Sequence, residues 1–198
     1  MLLVSLPAAD LYEQESRRMF VEWKAKNRKT YTYAGEEDCR YAVFKESRRR
    51  VAWSVGASSG LNGFSATTVE EFNRSYLRGH GVRTGEESYE QETRWMFVGW
   101  KAKYGKTYRD VGEEKCRYRL FMSNRRVVVR LNAAARQDVY SLNQLGDLTN
   151  EEVQQRCYPE TEDRELSAGA KPPSPTRADL VPGLLVHCYG TEKNRVWR

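Results

Sequence analysis

The sequence predicts an all-α protein of two similar three-helix units in tandem, followed by an extended tail. Apolar side chains recur at helical spacing, for example at Tyr89, Met96, Trp100 and Tyr104. Charged residues make up 30% of the chain and aromatic residues 12%. This composition fits two small cores closed by aromatic rings better than one large core.

A long internal repeat gives the domain organisation. The segment MFVEWKAK at residues 19–26 returns as MFVGWKAK at residues 96–103, an offset of 77. The turn Leu61-Asn62 returns later as Leu142-Asn143, so the second copy has gained residues before that turn. We interpret the chain as a tandem duplication. The predicted divisions are an N-terminal extension (1–9), a first repeat (10–77), a linker (78–85), a second repeat (86–158) and an extended, proline-containing tail (159–198).

Local signals place the helix boundaries in the second repeat. Gly105 is suited to the position just after a helix, and a second helix is predicted to begin near Gly112. The pattern Thr149-Asn150-Glu151-Glu152 predicts a capping box at the start of a short third helix, and residues 68–71 repeat it. Between the second and third helices, residues 139–143 alternate in size as in a short extended strand.

Composition excludes several other functions. Two histidines and four cysteines without a Cys-x-x-Cys spacing predict no metal site, and we expect no cofactor. The cysteines are too few for a disulfide framework, and Cys39 and Cys116 are expected to be small buried residues. The net charge is +6, but each repeat is nearly charge-balanced without a recognition-helix motif, so nucleic acid is not an expected partner. No segment is long and apolar enough for a membrane helix, and the compartment (secreted, vacuolar or lysosomal, or cytoplasmic) stays open.

The second helix of repeat 2 carries a spaced motif that resembles the interspersed Glu-Arg-Phe-Asn-Ile-Asn signature of cathepsin L-like propeptides. Its members are Glu113, Arg117, Phe121, Asn124, Val128 and Asn132. The turn that follows, with Asn143 and Asp147, is similar to the second motif of that family, although Leu145 stands where phenylalanine is usual. Repeat 1 is more degenerate, and the motif residues that it keeps are Glu36, Arg40, Phe44, Asn62 and Phe64.

This resemblance implies an inhibitor of papain-like cysteine proteases. The helical unit would dock on the enzyme's prosegment-binding loop, and the chain after it would fill the active-site cleft against the substrate direction. The sequence contains no nucleophile motif of a papain-like catalytic domain, so we expect no enzyme activity. The candidate residues for contact with the protease are Trp100, Tyr104, Tyr108, Tyr140, Leu142, Leu145, Cys157 and Tyr158.

Several of these candidates have more than one interpretation. Trp100 and Tyr104 also fit a role as core residues between the first two helices. Cys157 is either an ordinary exposed thiol, or a thiol that forms a mixed disulfide with the enzyme or links two inhibitor molecules into a dimer.

The resemblance also implies a buried charge network that joins the helices. Arg117 would pair with Asp147, and loss of that pair in acid would loosen repeat 2. Arg40 would lack this partner, because Ala66 replaces the aspartate, and would turn to Glu36 or to solvent. We therefore expect repeat 2, which is followed by a long tail, to be the main inhibitory unit.

Two other functions are compatible with the sequence. A detached propeptide unit can act as a folding assistant for a cysteine protease. Alternatively, the chain is a helical scaffold, or a basic nucleic-acid-binding module, that keeps the fold without the inhibitory activity.

Overall fold

The computed structural model describes residues 8–53, 60–78 and 86–157. These ranges contain six α-helices and no strand, which confirms the predicted all-α class. The helices are α1 (Ala8–Lys26), α2 (Ala34–Trp53), α3 (Val69–Arg78), α4 (Glu86–Tyr104), α5 (Val111–Ala135) and α6 (Asn150–Cys157). None of these helices is long and apolar enough to cross a membrane. The predicted extended tail and Tyr158 lie outside the described residues, as do 79–85 of the predicted linker.

The strand suggested for residues 139–143 is not present. The side chain of Asn132 accepts a hydrogen bond from the backbone N–H of Tyr140 at 2.8 Å and donates one to its carbonyl at 3.0 Å. Both backbone groups of Tyr140 are thereby satisfied by one side chain at the end of α5. No partner strand is needed at this residue.

Each half of the chain has its own aromatic core. Phe20 lies 5.3 Å from Phe44 between ring centroids, and Phe97 lies 5.1 Å from Phe121. The rings of each pair are tilted by 55° and 56° respectively, so the same packing occurs twice. These contacts join the first helix of each half to the second helix.

The indole of each core tryptophan ties the first helix to the turn before the third helix. Trp23 Nε1 donates a hydrogen bond to the carbonyl of Asn62 at 2.7 Å. Trp100 Nε1 donates to the carbonyl of Asn143 at 2.8 Å. A buried indole N–H requires a partner, so this bond fixes the position of the turn as well as the ring.

The two halves are joined through α2 and α5 by a disulfide between Cys39 and Cys116. Cys39 and Cys116 are buried, as expected, but they are bonded to each other, a pairing that the sequence did not predict. The two positions are 77 residues apart, which is the offset of the repeat. When two similar units pack about an approximate two-fold axis, a residue on that axis meets its own counterpart. Two cysteines are then sufficient for a disulfide, whatever the total number of cysteines.

The contact between α2 and α5 is reciprocal at neighbouring positions too. A Cβ added at Gly35 would lie 2.8 Å from Glu113 Cβ, and a Cβ added at Gly112 would lie 2.8 Å from Glu36 Cβ. Gly35 and Gly112 are equivalent in the repeat, as are Glu36 and Glu113. The first turns of the two helices therefore approach each other too closely for any larger residue at either glycine.

Two ion pairs, one for each third helix, connect the third helices to the opposite halves. Arg49 Nε lies 2.6 Å from Glu151 Oε2, and Arg126 Nε lies 2.7 Å from Glu70 Oε2. Both glutamates are buried. Each arginine compensates a carboxylate that is removed from water, so replacing either arginine by a neutral residue would leave an uncompensated buried charge.

Arg28 has a left-handed backbone conformation, and the equivalent residue of the second half is a glycine, Gly105. The φ angle is 53° at Arg28 and 59° at Gly105, and both residues end a helix in the same way. The N–H of Lys29 bonds to the carbonyl of Lys24, and that of Lys106 to that of Lys101, each at 2.9 Å. A side chain in this left-handed region costs about 1 kcal/mol or more relative to glycine.

We therefore expect Arg28→Gly to raise the free energy of unfolding of the full chain by about 1 kcal/mol. Gly105→Ala should lower it by a similar amount through backbone strain alone, because a Cβ at Gly105 would meet nothing within 4 Å. Urea denaturation measures both changes. A destabilised Arg28→Gly variant would contradict the strain assigned to this residue.

Candidate functional site

Arg117 lies at the centre of a charge cluster that joins α5 to α6. Its two terminal nitrogens donate hydrogen bonds to the two carboxylate oxygens of Glu152, each at 2.8 Å. Its Nε lies 3.6 Å from Glu113, one turn earlier on α5. It also donates to the backbone carbonyl of Asp147 at 3.3 Å. This set, called the Arg117 cluster below, holds the start of α6 and the turn before it against α5.

Glu152 has a second role at the N-terminus of α6. The N–H of Thr149 donates to the Glu152 carboxylate at 2.9 Å, and the N–H of Glu152 donates to the Thr149 hydroxyl at 3.2 Å. This confirms the predicted capping box. Burial by itself raises the pKa of Glu152, but the hydrogen bonds and charge of Arg117 and the bonds from Thr149 outweigh it. The net pKa is below the ordinary value of a glutamate.

The predicted pair between the Asp147 carboxylate and Arg117 is wrong. The carboxylate of Asp147 lies 3.0 Å from Lys106 Nζ and accepts a hydrogen bond from the Tyr108 hydroxyl at 3.0 Å. Burial, followed by the adjacent Asp147 charge, raises the pKa of Tyr108. Arg117 donates instead to both carboxylate oxygens of Glu152. The Asp147 carboxylate binds two residues of the connection between α4 and α5.

The expectation that Arg40 turns to Glu36 or to solvent holds only in part, because Arg40 contacts Glu36 but has Glu71 as its main partner. Arg40 donates to the two carboxylate oxygens of Glu71 at 2.5 and 2.7 Å, and lies 3.5 Å from Glu36. It reaches the carbonyl of Ala66 at 3.4 Å, just as Arg117 reaches that of Asp147. Replacing the aspartate by alanine removes a side chain that the arginine does not use. The first half therefore has the same charge cluster as the second.

The remaining motif residues of the second half position the turn before α6. Asn124 donates to the carbonyls of Gly146 at 2.9 Å and Leu148 at 3.1 Å. Asn143 accepts a hydrogen bond from the N–H of Leu145 at 2.8 Å, and in the first half Asn62 accepts one from Phe64 at 2.9 Å.

Phe121 is buried in the aromatic core, and its counterpart Phe44 is buried in the core of the first half. Val128 is half-buried on α5.

Most of the residues selected as protease contacts lie in or against the core. Trp100 and Leu145 are buried. Tyr104, Tyr108 and Leu142 are half-buried against the aromatic core of the second half. Tyr140 is the exposed member of the described candidates, with 38% of its surface accessible.

Cys157 is disulfide-bonded, so its expected role as a free thiol is wrong. No free cysteine occurs in the part of the chain that the structure describes. Cys157 packs against a buried apolar cluster of Leu145, Leu148 and Val153. The same described residues contain no group of three potential metal ligands.

An exposed aromatic pair in the first half was missed by the sequence analysis. Phe64 is 54% exposed and Phe72 is 44% exposed, and their rings contact edge to face with centroids 5.3 Å apart. Val69, also exposed, lies between them in sequence at the start of α3. These three residues are called the Phe64 patch. The spacing of two phenylalanines around the capping box marks the pair in the sequence but does not predict its exposure, because the equivalent residues of the second half, Leu145 and Val153, are buried.

The two halves differ at this surface. In the second half, Leu145 and Val153 occupy the positions of Phe64 and Phe72, and both are buried with Cys157 packed against them. In the described part of the chain, the turn and third helix therefore present an exposed aromatic pair in the first half and a closed apolar cluster in the second.

Comparison with known proteins agrees with this geometry. Residues 97–153 match the family described as the cathepsin propeptide inhibitor domain (I29). Over 171 residues the chain is 31% identical to the cystein proteinase inhibitor protein salarin of Salmo salar, covering 80% of this chain and 48% of that protein. It is 30% identical over 164 residues to salarin of Salvelinus alpinus, with the same coverage. The chain thus spans about half the length of these curated relatives.

The similarity extends to proteases in a shorter region. The chain is 35% identical over 77 residues to the probable cysteine protease RD21C of Arabidopsis thaliana, covering 36% of this chain and 17% of that protein. No solved structure matches the chain.

Glu152→Gln should lower the free energy of unfolding at pH 7 by about 3 kcal/mol, because Arg117 loses its carboxylate partner. The folded pKa of Glu152 is lowered. Its stabilisation is therefore present above the unfolded pKa of about 4.3 and is lost as the pH falls through the folded pKa. The difference in Tm between the wild type and the variant should consequently narrow below about pH 4.

Thermal denaturation of the full chain across the acid range measures this difference. Asp147→Asn is the control, because it alters the contacts with Lys106 and Tyr108 and leaves the Arg117–Glu152 pair intact. A difference in Tm for Glu152→Gln that stays constant down to low pH would contradict the assignment.

Proposed function

We propose that this protein is an inhibitor of papain-like cysteine proteases that acts as a free propeptide-like unit and has no catalytic activity of its own. The observation that supports it most directly is the match of residues 97–153 to the cathepsin propeptide inhibitor domain. That match contains the Arg117 cluster, the aromatic core of the second half and the turn held by Asn124. Similarity to two proteins named as cysteine proteinase inhibitors, over 80% of this chain, supports the same function.

We propose further that the first half is a second, diverged copy of the same unit. It lies outside the residues matched by the family, but three features support the proposal. Arg40 and Glu71 repeat the bidentate pair of Arg117 and Glu152. The aromatic cores have the same ring geometry, and the indole of Trp23 makes the same bond to the following turn. The similarity to the salarins is also too long to fall within one half.

The Phe64 patch is the best candidate for the surface that contacts the protease. Large aromatic side chains are enriched at the centre of protein interfaces, and an exposed pair in mutual contact is pre-ordered for binding. The patch is built on a turn fixed by Asn62 and a helix fixed by Arg40, so little conformational entropy is lost on docking. Inhibition would follow from occupation of the enzyme surface and cleft, with no covalent step.

The sequence-based hypothesis places the main inhibitory unit in the second half. Tyr140 and the adjacent Val139 are the exposed apolar side chains next to the matched turn, and they are the candidates for this alternative. The Phe64 patch and Tyr140 belong to different halves. Substitutions at one surface therefore leave the other unchanged, and their effects on inhibition distinguish the two hypotheses.

Two other hypotheses find little support in the contacts. Against the alternative of a basic nucleic-acid-binding module, Arg49 and Arg126 are used internally, because they pair with buried glutamates of the opposite half. A dimer linked through Cys157 would require exchange of the disulfide that this residue already forms.

The test is tight-binding inhibition of papain and of a cathepsin L-like enzyme by the full chain. We expect the double variant Phe64→Ser, Phe72→Ser to raise the inhibition constant at least about tenfold, since two aromatic anchors are lost from the interface. Val21→Ser is the matched control, because Val21 is equally exposed on α1 of the same half and lies outside the patch.

The outcomes separate the parts of the proposal. Absence of inhibition by the wild type would refute the function. Unchanged inhibition by the double variant, together with loss of inhibition in Tyr140→Ala, would assign docking to the second half. Recovery of denatured protease activity by the chain, without inhibition of folded enzyme, would favour a folding assistant.

A further inference from the structure

The outer face of α4 carries an exposed apolar stripe. Trp95, Val98, Gly99 and Ala102 are spaced so that they lie on one side of the helix. All four are exposed, and Trp95 is 73% exposed, the largest value among the exposed large apolar side chains of the described residues. An indole this accessible on a well-formed helix contributes nothing to the core of its own chain.

The first half shows that the stripe is not required for the fold. The residues of α1 equivalent to Trp95 and Gly99 are Arg18 and Glu22, which form an exposed ion pair at 3.3 Å. Val21 and Ala25 are unchanged in type from Val98 and Ala102, so the two helices differ at this face by an ion pair in one half and a tryptophan with a glycine in the other. The difference indicates a binding role that is specific to α4.

The shape of the stripe suits a second helix. A Cβ at Gly99 would meet no atom within 4 Å, so the backbone is open one turn after the projecting indole of Trp95. If a second copy of α4 packs antiparallel on this face, the indole of each copy lies over the glycine of the other. A large side chain facing a glycine permits close helix approach and burial of the ring.

The charged residues beside the stripe also favour antiparallel packing of two copies of α4. Glu92 and Lys103 lie along one edge of the stripe, and both are exposed. Residues 95 and 99 have nearly the same midpoint along α4 as residues 92 and 103. An antiparallel pair that places Trp95 over Gly99 of the other copy therefore also brings Glu92 of each copy beside Lys103 of the other. A parallel pair would leave Glu92 and Lys103 about 16 Å apart along the helix axis, so these charges could not pair.

We propose that the outer face of α4 is covered by α4 of a second copy of this chain, in an antiparallel two-fold contact. The contact is independent of the proposed inhibitory function, because it lies in the other half from the Phe64 patch. A contact through one helix face is small, so the dimer should be weak, with a Kd on the order of micromolar or above.

Sedimentation velocity of the full chain, from about 5 to 200 µM, tests the proposal. We expect concentration-dependent dimerisation in the wild type. Trp95→Arg, which introduces the residue found at this position in the first half, should weaken association at least about tenfold. Val21→Arg is the control, since Val21 is 55% exposed on α1, at the position equivalent to Val98, and should leave dimerisation unchanged.

A charge exchange tests the antiparallel register. Glu92→Lys alone should weaken the dimer, and Lys103→Glu in the same chain should restore it, since the two opposed charges are then reversed together. Circular dichroism verifies that each variant is folded, because Glu92 also pairs with Arg125 at 2.6 Å. A wild type that stays monomeric over the whole range, or a Trp95→Arg variant that dimerises like the wild type, would overturn the proposal. Failure of the charge exchange to restore association would overturn the register.

Discussion

The structure depends on the contact between α2 and α5. Because the two halves meet about an approximate two-fold axis, a residue on the axis faces its own counterpart, and residues beside the axis make reciprocal contacts. Two cysteines form a disulfide, and two glycines allow the first turns to approach. Closing a loop of this length by a disulfide is worth about 4 kcal/mol in the chain-entropy account. Arg49 and Arg126 then hold the third helices of the opposite halves, so neither half is complete without the other.

Buried and exposed positions of the repeat have diverged differently. The charge clusters around Arg40 and Arg117, the aromatic cores and the indole hydrogen bonds are the same in both halves. The outer surfaces differ: an exposed phenylalanine pair faces solvent in the first half, and an exposed tryptophan does so in the second. Packing constrains the first set of residues in any such pair of units, whereas surface residues are free to acquire separate binding roles. The halves therefore share a fold and differ in what they offer to partners.

Local patterns in the sequence were sufficient for the helices and much of the turn geometry. Helical spacing gave the all-α class, and the Thr149 pattern gave the start of α6, because these features depend on residues close in sequence. The partner of Arg117 could not be derived in this way. Asp147 and Glu152 both lie near the arginine, and the choice depends on which carboxylate reaches the guanidinium in a bidentate geometry. The Cys39–Cys116 disulfide depends on how two units pack, which no local spacing encodes.

The central claim is that the first half docks on a papain-like protease through the Phe64 patch. Hydrogen–deuterium exchange of the full chain, alone and with papain alkylated at its catalytic cysteine, tests it most directly, because the blocked enzyme binds without cleaving the chain. The account predicts slower exchange in residues 61–75, around the turn and α3 of the first half, with α4 unaffected by the protease. Binding that leaves residues 61–75 unprotected would contradict the claim.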